Sequence, residues 1–283
     1  MSTIAAGTSS GTALVSTGDT TGALQLQVNG TTPSITLAAN GAIGVGSSPS
    51  YGSANQVLQS NGSSAAPSWV AAGSGFSAMS VITSSGTFTI PSGKTVLKVT
   101  VVGAGGGGSG ATNVAVVPGT SGGFSRIASG TQTISSISGN GGGISTDGAS
   151  GATSGGAGGS ASGGDLNFAG SAGGAGLVDG QATGVSGFGG SSHFGGGVSG
   201  TMGTGAASPG QAGSNYGGGG SGASRYPSSI TAGGAGGGGT AIKYLTGMTP
   251  GNTLTITIGS GGAGGSATYP GGTGANGVVV IEY

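Results

Sequence analysis

The sequence predicts an all-β protein with no substantial helix: a short-stranded N-terminal fibre segment, then a β-sandwich-like domain carrying a large glycine-rich insertion. Two observations carry this. Short apolar runs that alternate with period two, separated by turn dipeptides, occupy both ends of the chain. Between them, residues 103–240 are broken into glycine blocks such as Gly155-Gly156-Ala157-Gly158-Gly159 and Gly233-Gly234-Ala235-Gly236-Gly237-Gly238-Gly239.

Residues 1–75 form the first unit. Ala23-Leu24-Gln25-Leu26-Gln27-Val28 places Leu24, Leu26 and Val28 on one side. Asn29-Gly30, Ser34-Ile35-Thr36-Leu37, Asn40-Gly41 and Ala42-Ile43-Gly44-Val45 complete a meander of three short strands. Asn-Gly suits a type I′ turn, whose central residues both need positive φ. So small a sheet has one apolar face and too little else to cover it, which points to burial against copies of itself around a symmetry axis. A hairpin follows, with Gln56-Val57-Leu58-Gln59 before Asn61-Gly62 and Ser68-Trp69-Val70 after it. Trp69, the sole tryptophan, reads as the aromatic plug of a trimeric or domain-junction core.

Residues 76–283 form the second unit, with strands expected near 79–102 and 253–283. Thr87-Phe88-Thr89-Ile90 alternates, Pro91-Ser92-Gly93 turns, and Leu97, Val99 and Val101 share one face of the next strand. Leu254-Thr255-Ile256-Thr257-Ile258 and Gly277-Val278-Val279-Val280-Ile281-Glu282-Tyr283 restore the pattern. The strand ending at Val102 and those after Leu254 are expected in one sheet, with the insertion held by its two ends.

Ordering backbone costs about 1–2 kcal/mol per residue and glycine is the worst case. The insertion therefore either stays disordered or orders by bonding backbone to backbone. An extended helix with three residues per turn has no internal hydrogen bonds, and glycine at its contact positions lets neighbours pair. The absence of a strict G-X-Y phase excludes collagen; glycine in bursts fits antiparallel helices packed in layers. Five basic residues balance five acidic ones, so the high net charge of common disorder is missing.

Composition also excludes function classes. Lys94, Lys98, Arg126, Arg225 and Lys243 are scattered, so there is no basic patch for nucleic acid. Without cysteine there are no disulfides or thiolate metal sites. No apolar run reaches membrane-span length, so no membrane insertion is expected. The start has neither the basic nor the apolar region of a signal peptide, which predicts a protein made in the cytoplasm.

Several motif matches fail on their own terms. Gly103-x-Gly105-x-x-Gly108 lacks a following helix and a later acid. Ser92-Gly93-Lys94-Thr95 has Phe88 where a phosphate loop needs glycine. Gly173-Gly174-Ala175-Gly176-Leu177-Val178 lacks the aspartate of a calcium repeat, Asp179 arriving one place late. Asp147, Asp165 and Asp179 lie in separate segments, and His193 has no obvious partner. No catalytic residue, metal ligand or cofactor is expected.

The chain resembles bacteriophage tail-fibre and tip-adhesin proteins. The resemblance is carried by Thr87-Phe88-Thr89-Ile90-Pro91-Ser92-Gly93, by residues 97–108, by Ile256-Thr257-Ile258-Gly259-Ser260-Gly261-Gly262 and by the C-terminal strand. Residues 55–62 with Ser68-Trp69-Val70 are similar to a fibre-shaft hairpin. The resemblance implies a polyglycine-II sandwich whose intervening segments bind a host receptor. It also implies a virion location, a homotrimer, attachment to other tail or baseplate proteins through the N-terminal segment, and a bacterial surface glycan or outer-membrane protein as partner. Unlike adhesins that lack a shaft, this chain carries one.

Within the insertion, Phe168, Phe188, His193, Phe194, Tyr216, Arg225 and Tyr226 are the candidate receptor-binding residues. They either wedge the ends of packed helices or recognise a partner, since aromatics and arginine dominate binding hot spots. Two other readings stand beside a non-enzymatic adhesin. One is a purely structural filament or shaft component. The other is an ice-binding protein, against which the irregular inter-block residues argue.

Overall fold

The computed structural model describes residues 23–28, 32–72, 75–145, 153–178, 184–203, 206–225 and 230–283. The Asn29-Gly30 turn, Asp147, Asp179 and Tyr226 lie outside them. Contacts divide the chain into two units, Met1–Ser74 and Gly75–Tyr283. Among the described residues there is no α-helix, so the protein is all-β.

The first unit holds β1 (Leu24–Val28), β2 (Thr32–Leu37) and β3 (Ile43–Val45) as an antiparallel meander, and β4 (Gln56–Gln59) with β5 (Ser68–Ala71) as a hairpin. The Asn40-Gly41 turn forms, though not as type I′: Gly41 takes φ +83° but Asn40 does not enter positive φ, the Gly41 amide donates to the Ala38 carbonyl at 2.8 Å, and the Asn40 carboxamide accepts from the Ala42 amide at 3.0 Å. Leu24, Leu26, Ile35, Leu37 and Ile43 line an open apolar trough of about 750 Å³. Trp69 is half-buried against its own unit: its ring covers Gly52 and its Nε1 donates to the Ser50 carbonyl at 2.8 Å.

The second unit contains β6 (Met79–Ile82), β7 (Gly86–Thr89), β8 (Val96–Val102), β9 (Gly110–Ala111), β10 (Val116–Val117), β11 (Ser125–Ser129), β12 (Ile137–Gly139), β13 (Ala161–Ser162) and β14 (Leu166–Phe168). Then follow β15 (Leu177–Val178), β16 (Gly184–Val185), β17 (Met202–Gly203), β18 (Thr240–Thr246), β19 (Thr253–Thr257) and β20 (Val278–Glu282). Two five-stranded sheets, β14-β18-β8-β20-β6 and β13-β12-β11-β19-β7, make a sandwich. Leu97, Val99 and Val101 point into its core as their spacing predicts, meeting Ile127, Ile137, Leu254, Ile256, Val279 and Ile281.

Two expectations about the sandwich need correction. The strand ending at Val102 pairs with β20, but β19 lies in the opposite sheet. The insertion is also not held by its ends alone, because it supplies β11, β12, β13 and β14 to the sandwich. Ile127 and Ile137 are the large apolar residues that anchor β11 and β12, both completely buried.

Each of these strands continues into a glycine segment. Residues 103–109, 140–145, 170–176 and 259–265 leave the sandwich from β8, β12, β14 and β19. Residues 119–123, 153–160, 231–239 and 271–277 return into β11, β13, β18 and β20. Their backbone bonds repeat every third residue. The amides of Gly103, Gly106 and Ser109 donate to the carbonyls of Gly239, Gly236 and Gly233. Those of Ala104 and Gly107 donate to Gly123 and Thr120, and those of Gly105 and Gly108 to Ala275 and Gly272. The carbonyls of Ala104, Gly105 and Gly106 accept from Gly142, Gly262 and Gly220. A repeat of three, with every bond going to a neighbour, is polyglycine-II geometry.

The neighbours of 103–109 bond to one another in a closed ring: 231–239, 140–145, 119–123, 259–265, 271–277, 217–224 and back to 231–239. A second ring surrounds 231–239, formed by 103–109, 140–145, 153–160, 170–176, 186–191 and 217–224. Two fused hexagonal cells therefore occupy the place of an apolar core. Glycine is obligatory at their contacts: a Cβ on Gly105 would stand 1.9 Å from the Gly218 carbonyl oxygen, and one on Gly236 2.0 Å from that of Ala157. Segments 195–201 and 208–214 flank the lattice, bonded to 186–191 and 217–224 respectively. Where an edge lacks a helical neighbour, small polar side chains take over: Thr120 Oγ1 accepts from Ala263 at 2.8 Å and Asn276 Oδ1 from Gly261 at 2.8 Å.

Candidate functional site

Strand direction gives the lattice two distinct ends. The near end meets the sandwich. At the far end the described chain turns through the β9–β10 hairpin, the β15-β16-β17 sheet and residues 266–270. Segments 186–191 and 217–224 are joined at the near end to their partners 195–201 and 208–214 by turns at 192–195 and 214–217. The amides of Ser77 and Ala78 donate to the Tyr283 carbonyl, so chain entry and the end of β20 lie on the side of the sandwich away from the lattice.

The candidate residues fall in different places on this frame. Phe168 ends β14, and His193 and Phe194 occupy the 192–195 turn, so all three are at the near end. Two hydrogen bonds fasten that turn: the Ser192 hydroxyl accepts from the Gly195 amide at 2.8 Å and donates to the Tyr216 carbonyl. It holds His193 between two rings, stacked on Phe168 with centroids 6.1 Å apart and edge-on to Phe194 at 4.9 Å. Phe188 lies on the same flank, its ring covering Gly174. Tyr216 is half-buried against Val102, Val278 and Val280, a wedge at the junction of lattice and sandwich.

Arg225 is at the far end. Its Nη1 donates to the Asn113 carbonyl at 3.0 Å and ties the β9–β10 hairpin down. The turn of that hairpin is held by Thr112, whose hydroxyl accepts from the Ala115 amide at 2.9 Å, leaving Val114 exposed.

A further group was not anticipated. In the far-end sheet Leu177 pairs with Val185 and Val185 with Met202, so the three side chains form one row across β15-β16-β17. They are 64 %, 41 % and 62 % exposed. The sequence signal is a large apolar residue placed at or just after the end of a glycine block, as in Gly176-Leu177 and Gly200-Thr201-Met202.

Charge plays little part in the lattice. Asp165 sits on the sandwich, where the Tyr244 amide and Lys243 hold its carboxyl below the usual value. Lys98 is raised by its hydrogen bond to Glu282 at 2.7 Å. Among the described residues no group of His, Asp and Glu is arranged to hold a metal ion, and no helix is long and apolar enough to cross a membrane.

Comparison with family models, with curated proteins and with solved structures gives no match.

Proposed function

We propose that this chain is a non-enzymatic adhesin of a phage tail fibre that binds a bacterial cell-surface receptor. The observation that carries the reading is the exposed row Leu177–Val185–Met202, displayed at the end of a lattice whose other end is fixed to a sandwich. Large apolar side chains cost free energy in water and gain it when a partner covers them. A backbone lattice holds them with little loss of freedom on binding, which favours affinity. The apolar trough of the first unit supports trimerisation through residues 1–75, with attachment to other tail or baseplate proteins on that side.

The test is adsorption to host cells. Leu177→Ser with Met202→Ser removes the row without touching a buried residue, and adsorption should fall about tenfold or more. Wild-type protein that captures no bacterial cell would overturn the reading.

One observation favours a second reading. Ser154, Ala157 and Ser160 are exposed beside exposed Ala169, Ala172 and Ala175, in antiparallel segments that bond directly. These rows repeat at about 9 Å and are regular where the inter-block sequence is not. Such a face could order water, so thermal hysteresis by the purified protein would support ice binding.

A further inference from the structure

One flank of the lattice carries a stripe of aromatic rings that the far-end row does not account for. Segments 170–176 and 186–191 run antiparallel, with the Gly174 amide donating to the Phe188 carbonyl and the Ser171 amide to the Ser191 carbonyl. Three-residue periodicity brings Phe188 and Ser191 to one side of the second segment, which then runs into the 192–195 turn carrying His193 and Phe194, and it brings Gly174, Ser171 and Phe168 to the adjoining side of the first. The contacts agree. Phe188 covers Gly174, the Ser171 and Ser191 hydroxyls bond at 2.8 Å, and His193 stacks on Phe168. The stripe thus begins at Phe188, passes the serine pair after about 9 Å, and reaches the Phe168–His193–Phe194 cluster about as far again.

We infer that this flank is a contact site for an extended, neutral polysaccharide, resting on the adhesin reading for the statement that the ligand is bacterial. Phe168, Phe188 and Phe194 are 46 %, 55 % and 44 % exposed, although nothing forces large rings to lie open on a surface otherwise made of glycine, alanine and serine. Phe188 packs its Cδ1 and Cε1 atoms over Gly174 and leaves more than half of its surface open to solvent. The negative face of an aromatic ring attracts the weakly positive C–H groups on the face of a pyranose. Hydroxyls between the platforms match a ligand that is itself rich in hydroxyls.

Charge selects among glycans and against other partners. Residues 168–176 and 186–194 contain no Lys, Arg, Asp or Glu, and the nearby Asp165 is paired with Lys243 at 3.1 Å. Apart from the His193 imidazole, a charged capsule would find no ionisable side chain to pair with along these segments, whereas a neutral one desolvates no carboxylate, ammonium or guanidinium. Protein partners engage a central apolar cluster sealed by a rim. Here two aromatic platforms are separated by an open polar step, which suits a repeating chain lying along the flank.

The experiment uses the full-length protein, with immobilised neutral O-antigen and capsular polysaccharides as one probe. The second probe is outer-membrane vesicles stripped of surface polysaccharide, and the third is whole cells. Phe188→Ala with Phe194→Ala should weaken polysaccharide binding about tenfold, and Phe188→Trp should preserve it. Leu177→Ser with Met202→Ser should leave polysaccharide binding unchanged while lowering whole-cell capture. Wild-type protein that captures cells but no polysaccharide would overturn the inference and leave the adhesin reading standing. Equal polysaccharide binding by the aromatic double variant would overturn it as well. Vesicle binding that depends on Phe188 and Phe194 would reassign the stripe to a protein partner. A change of mass in solution on their removal would reassign it to a second copy. Failure to capture either cells or polysaccharide would remove both readings.

Discussion

Replacing Gly105 with alanine adds one methyl group to the central segment of the lattice. That methyl would lie 1.9 Å from the Gly218 carbonyl oxygen and 2.4 Å from its carbon. Relief requires a shift of more than an ångström, and the obstacle is backbone. Segment 217–224 cannot retreat freely, because it also bonds to 186–191, 208–214, 231–239 and 271–277. Overpacking a core typically costs about 1–3 kcal/mol, and a clash with fixed backbone belongs at or above the upper end. For a domain of this size about 3 kcal/mol lowers Tm by roughly 6–12 °C. Gly196→Ala is the matched control: it lies on an exposed edge, and its added methyl meets only Ser214 Oγ at 3.7 Å. Reducing the freedom of the unfolded chain there should be neutral or stabilising by up to about 1 kcal/mol. Thermal unfolding followed by circular dichroism measures both. Equal, small effects at the two positions would refute close backbone packing around 103–109.

Two further outcomes follow from the remaining structure. Lys98 is raised above its ordinary 10.5 by Glu282, so the pair's contribution is complete below 10.5 and is lost as pH rises through the higher folded value. Lys98→Met should cost no more than about 1 kcal/mol at neutral pH, because both side chains are about 30 % exposed, and the difference from wild type should vanish in strong alkali. In the first unit, Leu26→Asp places a charge in the open apolar trough. If that trough is the trimer contact, light scattering should report a fall to monomer mass, and an unchanged mass would remove the assignment.

The strands that bracket the insertion were legible because period two is clear where large residues alternate, as in Leu97, Val99 and Val101. The strands inside it were not. β11 reads Ser-Arg-Ile-Ala-Ser, and only Ile127 signals burial; the Arg126 guanidinium lies 5.4 Å over the Phe124 ring and hides a polar residue in a strand. Polyglycine packing itself could be argued from glycine in bursts. Its register could not, since glycine carries no side chain to distinguish one neighbour from another. The same limit affected the candidate site. Aromatic content picked out Phe168, Phe188, His193 and Phe194, which the fold gathers on one flank. It also picked out Tyr216, which wedges the junction, while the row Leu177–Val185–Met202 depends on pairing across β15-β16-β17 that a two-residue strand does not announce.

Residues 103–109 and 231–239 form the ordered interior of a backbone-bonded lattice. Amide hydrogen exchange tests it most directly. The amides of Gly103, Gly106, Gly236 and Gly239, each bonded to a neighbouring segment, should exchange only with global unfolding and as slowly as those of Val99 and Val101. Exchange of these glycine amides at the rate of an open chain, with the sandwich still protected, would contradict it.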